Sequence, residues 1–205
     1  MMADTVLLVF ARAPRLGQVK TRLIEALGAH GALRVHETLL ARTLQQAAAF
    51  SGPARLLLDQ PDEALEHHAE RLGLTVGLQR GEGLGERMSQ ALAESLNEWP
   101  RALLVGSDCP ILDQDYLRLA ATRLDTGRVV LGASEDGGFV LIGGSDARVW
   151  ASGSLFERVR LGTGYALADT LVALNHEPGV SVLPPLWDVD LPEDVRRARV
   201  LGVLD

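Results

Sequence analysis

Four cations crowd one short stretch, Arg12-Ala-Pro-Arg-Leu-Gly-Gln-Val-Lys-Thr-Arg22: Arg12, Arg15, Lys20 and Arg22. They follow an apolar run and precede a helix, where negative charge is normally preferred. Phosphate groups held by helix amides and charge-assisted hydrogen bonds would account for them. A solvated basic loop is the simpler alternative. The stretch is no P-loop, because Val19 stands where glycine must precede the lysine. It is no dinucleotide fingerprint either, since no G-x-G-x-x-G follows the first strand.

A second group is carboxylic. Asp108, in Ser107-Asp-Cys-Pro110, ends the most apolar run of the chain, a position suited to holding a hard cation. Mg²⁺ or Mn²⁺ there would take one or two carboxylates and fill its remaining sites with phosphate and water oxygens. The alternative is a turn residue before proline. Asp188 and Asp190, in Trp187-Asp-Val-Asp190, lie two apart and face the same way if extended, so either completes such a site. Asp190 equally suits the cap of a helix starting near Pro192.

Two glycine-containing loops add to the set. Gly81-Glu-Gly-Leu-Gly-Glu-Arg87 places Gly81, Gly83, Gly85 and Arg87 between a strand and a helix, where backbone can approach a base, ribose or phosphate. A tight strand-to-helix turn explains it equally. Glu135, Asp136, Gly137 and Gly138 form an acidic turn with room for a substrate, or a hairpin built on Asp-Gly. The five histidines lack metal-ligand spacing, and Cys109 reads as packing rather than a nucleophile.

Alternating elements must position these residues. Strands are expected at Thr5–Ala11, Ala54–Asp59, Thr75–Gln79, Ala102–Gly106, Arg128–Ala133, Phe139–Gly143 and Val180–Leu183. Helices are expected at Thr21–Leu27 and Gly31–Ala49, separated by Gly28, then at Pro61–Leu72 with proline in its first turn. Others follow at Leu84–Trp99, Asp113–Asp125, Tyr165–Asn175 and Pro192–Leu201. This order predicts an α/β fold, a three-layer α/β/α sandwich on a mostly parallel sheet with a mixed edge. In such sheets ligands bind beyond the carboxyl ends of the strands, which is where the charged loops fall.

Composition limits the function classes. The 205 residues, 47% hydrophobic and 23% charged, fit one domain over 1–205. A net charge of −7 argues against a general nucleic-acid binder. One cysteine fits a reducing, cytoplasmic compartment. The first apolar run is too short to span a membrane and lacks a basic start.

With these motifs placed, the chain resembles the DUF2064 family of GT-A-like transferases. That family is also labelled radical-SAM/selenodomain-associated transferase 1 or arsenosugar-associated glycosyltransferase. The resemblance runs in order through LLVFARAPRLGQVKTRL, GEGLGERM, LLVGSDCPIL, VVLGASEDGGFVLIGG and PPLWDVDLPEDV. The family is similar to 2-phospholactate and molybdopterin guanylyltransferases, where a similar K-T-R-L follows the first strand. The resemblance implies a nucleotide-diphospho-sugar transferase (Rossmann-like) fold, with Asp108 in the place of that superfamily's metal-binding acidic motif. It also implies a nucleotide or nucleotide-sugar donor and a small-molecule acceptor, with Lys20 and Asp108 in catalysis. One departure stands out: Leu161-Gly-Thr-Gly164 replaces the expected Trp-Ser-Thr-Pro-like segment, on the acceptor side.

Overall fold

A computed structural model describes residues 2–205. Seven strands form one sheet: β1 (Thr5–Ala11), β2 (Ala54–Leu58), β3 (Thr75–Leu78), β4 (Arg101–Val105), β5 (Val129–Ser134), β6 (Phe139–Gly144) and β7 (Val180–Leu186). Their order is β3-β2-β1-β4-β6-β5-β7. Only β6 runs against the rest, antiparallel to both β4 and β5, while β7 pairs parallel with β5. The antiparallel strand therefore lies inside the sheet, not at the expected mixed edge. The β5–β6 hairpin is too short for a crossover, so β6 must reverse, and it lands between β4 and β5.

The helices are α1 (Ile24–Ala48), α2 (Glu63–Arg71), α3 (Leu84–Glu98), α4 (Gln114–Arg123), α5 (Arg148–Ala151), α6 (Ala166–Ala173) and α7 (Pro192–Val200). Gly28 breaks the start of α1 with φ 70° and ψ 165°, which separates its two parts as the sequence suggests. Pro61 stands before α2 rather than in its first turn. Asp62 is the cap there, its carboxylate accepting from the Leu65 amide at 3.0 Å. Strand β7 runs three residues beyond Leu183, through Pro184 and Pro185. Proline is tolerated there because β7 is an edge strand and one side of its backbone needs no donor.

Strand β1 is buried along its whole length, and its alternation divides the core in two. Leu7, Val9 and Ala11 face α1, α2 and α4, packing on Leu40, Leu44 and Leu117. Val6, Leu8 and Phe10 face α3 and α5, against Met88, Leu92 and Trp150. A smaller cluster joins α1 to α7 through Val35, Leu39, Trp187 and Val195. Each fully buried Leu or Val contributes roughly 1.5–3 kcal/mol, so β1 anchors both layers. The rigid sheet then presents its loops on one side, at the carboxyl ends of β1, β2, β4 and β5.

Candidate active site

A cavity of about 730 Å³ opens over those strand ends, a volume within the usual range for small-molecule sites. It straddles β1 and β4, where the chain order of the sheet reverses. Lys20 lies at its floor. The residue adopts a left-handed backbone (φ 47°, ψ 44°), the only non-glycine residue to do so among those described. That conformation costs roughly 1–2 kcal/mol and aims the side chain inward. Only 4% of the side chain is exposed, and Nζ lies 2.8 Å from Asp108 Oδ1 and 3.1 Å from Asp190 Oδ1. Burial alone would lower the Lys20 pKa, but the two carboxylates outweigh it and the net shift is upward.

The three aspartates reach this floor from two loops. Asp108 follows β4, and its carbonyl accepts from the Val189 amide at 3.0 Å, which ties the 107–110 turn to the 187–190 segment. Val189 is buried, so Asp188 and Asp190 project to the other side, into the cavity. Asp190 also pairs with Arg22 at 3.2 Å. It does not cap α7. Asp194 accepts from the Asp190 and Leu191 amides instead, at 3.0 and 2.7 Å. Asp188 accepts from the Ser134 hydroxyl at 2.8 Å. Its pKa is raised, mainly by burial, with Asp136, Asp190 and Asp108 adding repulsion against the Ser134 bond.

Among the remaining residues singled out above, Arg12, Arg87, Asp136 and Gly138 line the cavity. Arg12 donates to the Gln18 carbonyl at 3.2 Å, and Arg87 to the Gly81 carbonyl at 2.9 Å. Arg15 is directed elsewhere, to Asp62 and the Pro61 carbonyl, both at 2.9 Å, so it steadies the start of α2. Gly81, Gly83 and Gly85 do not line the cavity. Gly85 lets α3 approach Phe156, whose side chain a Cβ there would overlap. Glu135 points away, bound to Arg197 at 2.6 and 3.0 Å, while Arg197 covers the Trp187 ring at 4.2 Å. The Arg197 hydrogen bonds hold the Glu135 pKa down.

Gly137 brings the hairpin turn against the 162–164 loop. Its φ is +87°, and a Cβ would overlap the Gly164 carbonyl. Gly137→Ala is therefore expected to cost about 3 kcal/mol, from the left-handed backbone plus forced separation of two loops. Thermal unfolding should show a drop of about 10 °C.

Asp59 and His36 are among the lining residues that had not been singled out. Asp59, at the end of β2, accepts from the Ala13 amide at 2.8 Å. His36 is buried beneath the first loop, its Nε2–H donating to the Arg12 carbonyl at 3.0 Å. It shares a helical face with Ala32, Leu39 and Leu40, so the spacing on α1 was the available signal. Burial lowers the His36 pKa from 6.5, against the hydrogen bond to Arg12. The unfolded chain thus takes up a proton that the folded chain refuses until the pH is lower still. His36 stability is fully present above 6.5 and lost as pH falls through the folded value. His36→Gln should flatten the fall in melting temperature between about pH 7 and 5.

The carboxylates suit a metal that is shared with a ligand. Among the described residues no three His, Cys, Asp or Glu groups come together closely enough to enclose an ion. Asp108 with Asp188 or Asp190 could instead offer the one or two carboxylates that Mg²⁺ usually takes from protein. The mutual repulsion around Asp188 is what such an ion would relieve.

The family model for the "uncharacterized protein conserved in bacteria (DUF2064)" matches residues 41–163, more than half of the chain. The chain belongs to the DUF2064 family. No curated protein matches it significantly. This DUF2064 chain superposes on a candidate nucleotide-diphospho-sugar transferase from Desulfovibrio desulfuricans G20 with a TM-score of 0.81 and 26% identity. The match covers 93% of this chain and 84% of that one. The fold alone is shared with a cytidylyltransferase from Leptospira borgpetersenii serovar Hardjo-bovis (strain JB197), at TM-score 0.63, 17% identity and coverage of 98% and 88%. It is also shared with CMP:2-keto-3-deoxy-manno-octonic acid synthetase complexed with CTP, at TM-score 0.60, 12% identity and coverage of 97% and 98%. The DUF2064 chain therefore has the nucleotide-diphospho-sugar transferase fold expected from its motifs. No helix among its described residues is long and apolar enough to cross a membrane.

Proposed function

We propose that this protein is a nucleotide-dependent transferase that moves a glycosyl group from a nucleotide-sugar donor to a hydroxyl of a small acceptor. The observation that carries the reading is the enclosed Lys20 ammonium, held between Asp108 and Asp190 where the sheet order reverses. Likeness to a candidate nucleotide-diphospho-sugar transferase supports it. Arg12, Lys20 and Arg22 would receive the donor's phosphates. Asp108, with Asp188 or Asp190, would hold Mg²⁺ or Mn²⁺, which when bound supplies positive charge to the phosphate oxygens.

In the transfer, the acceptor oxygen bonds to the sugar carbon as that carbon's bond to phosphate breaks. The hydroxyl proton leaves to a carboxylate or solvent, and the nucleoside diphosphate departs with the bonding electrons. Lys20 stabilises the charge that builds on the departing phosphate, at a fixed position and with little reorganisation. The protein's share of the work is positioning and electrostatics.

Nucleotidyl transfer is the second reading, favoured by the three cations gathered at one end of the cavity. There an acceptor phosphate would attack the α-phosphorus and release pyrophosphate. The two separate by product, using purified protein with panels of nucleotide sugars and nucleoside triphosphates. Release of nucleoside diphosphate, dependent on an acceptor, is expected. Pyrophosphate release would transfer the conclusion to the second reading, and no turnover with either panel would defeat both.

A further inference from the structure

The cations that line the cavity are unevenly placed. Its lining cations, Arg12, Lys20, Arg22 and Arg87, all come from the β1 loop, the turn after it and the first turns of α3. The wall over β6 and α6 presents Phe139 and Leu161, with Ile142 and Ala166 buried in it and Asp136, Asp188 and Thr163 among them. The cations closest in sequence to that wall are engaged elsewhere. Arg160 holds Asp169 through two 2.8 Å hydrogen bonds and stacks on Tyr165 at 4.0 Å. Arg197 holds Glu135 over Trp187. Neither lines the cavity.

The side-chain polar atoms left over in this half are acceptors. Asp136 Oδ1 takes the Gly138 amide at 2.8 Å, leaving Oδ2 for a ligand. The Thr163 hydroxyl already donates to the Arg160 carbonyl at 2.7 Å, so it has no proton left to give. A phosphate or carboxylate placed beside Asp136, away from the carboxylates assigned to the metal, would face an aspartate with neither a cation nor a side-chain donor. A hydroxyl meets an acceptor, and an apolar surface meets the Phe139–Leu161 wall.

We infer that this half of the cavity is the acceptor site and that it takes an uncharged alcohol with an apolar face, such as an alkylated sugar, rather than a phosphorylated compound. The inference rests on the transferase reading for the identity of the site as an acceptor site. Its charge preference follows from the lining residues alone. It also bears on the two reactions above, because nucleotidyl transfer as framed there places an acceptor phosphate in this half.

The test compares hexyl β-D-glucopyranoside, its 6-phosphate and methyl β-D-glucopyranoside by calorimetry, below the micelle concentration, with Mg²⁺·nucleotide binding measured on the same samples. The hexyl glucoside should bind at least about tenfold more tightly than the methyl glucoside, as burial of its extra methylenes predicts. Its 6-phosphate should bind at least about tenfold more weakly, as expected for an unpaired anion beside carboxylates. Leu161→Glu should remove hexyl glucoside binding and leave nucleotide binding in place. Thr163→Lys, on the exposed loop, should admit the phosphate and guards against a fold defect in the first variant. Equal or tighter binding of the phosphate by the unaltered protein would overturn the proposal, as would failure of the hexyl glucoside where nucleotide binds. Glucoside binding without nucleotide binding would instead strike the donor reading and leave the charge preference standing.

Discussion

Replacing Lys20 by methionine is expected to cut turnover by about 10²–10³-fold with a smaller change in KM, the usual loss when one preorganised charge is removed from a reacting centre. The steady-state assay of whichever product is released measures this directly. Lys20 is nearly enclosed and its folded pKa is raised. Its ammonium charge is therefore fully present below the ordinary 10.5 and is lost only as pH climbs through the higher folded value. Arginine should not rescue it, because a planar guanidinium is a poor fit for a closed site that holds a compact ammonium. The backbone adds a second readout. Lys20→Gly removes the same charge and relieves about 1 kcal/mol of left-handed strain, but it gives up the enclosed stem that methionine keeps. It should therefore unfold at a lower temperature than Lys20→Met while being equally inactive. A lysine serving only the fold would show the opposite pattern, with activity following stability.

Asp108→Asn should abolish the Mg²⁺-dependent part of nucleotide binding. A ligand at a hundred times its Kd stabilises the native state by about 2.7 kcal/mol, and thermal shift with and without Mg²⁺ should lose that increment in the variant. The fold itself should tolerate the change. Asp108 is 43% exposed on its side chain, and its link to Val189 is made by the carbonyl, which asparagine keeps. Unchanged Mg²⁺-dependent binding would remove Asp108 from the metal assignment. Asp188→Asn, by contrast, should stabilise the metal-free protein slightly. It relieves a carboxylate whose pKa is raised by burial and by three acidic neighbours.

The sequence carried the strands more clearly than their arrangement. Thr5–Ala11 and Ala102–Gly106 read as strands because β-branched and leucine runs end at turn residues, a local signal that survives folding, and the observed strands lie within one residue of them. The position of β6 has no local signal. A hairpin can place its second strand on either side of the first, and packing against Leu103 and Leu104 decides which. Helix α5 went unseen because four residues are too few to show periodicity.

The same distinction applies to the site. Lys20, Asp108, Asp188 and Asp190 were legible because they are charged residues at strand ends, where burial is otherwise rare. That Lys20 bridges two of these aspartates was not, since it depends on the left-handed turn at Lys20 itself. Arg15 looked like its neighbours in sequence and differs only in what stands across from it, Asp62 on another loop. His36 was hidden for the opposite reason. Spacing on α1 points to its burial, but its partner is a backbone carbonyl, which no residue pattern displays.

The sheet order also shapes how the chain is made. Strand β1 gains β2 early, but its other edge waits for β4, where Thr5 pairs with Arg101. At ribosomal rates of about 5–20 residues per second, that partner emerges roughly 5–20 s after β1. During this interval an almost wholly apolar strand has one open edge, and every later strand of the sheet must wait behind β4. The nascent protein is thus most vulnerable to aggregation before the second half of its cavity exists. Slowing synthesis between β2 and β4 should lower the soluble yield more than slowing it after β4.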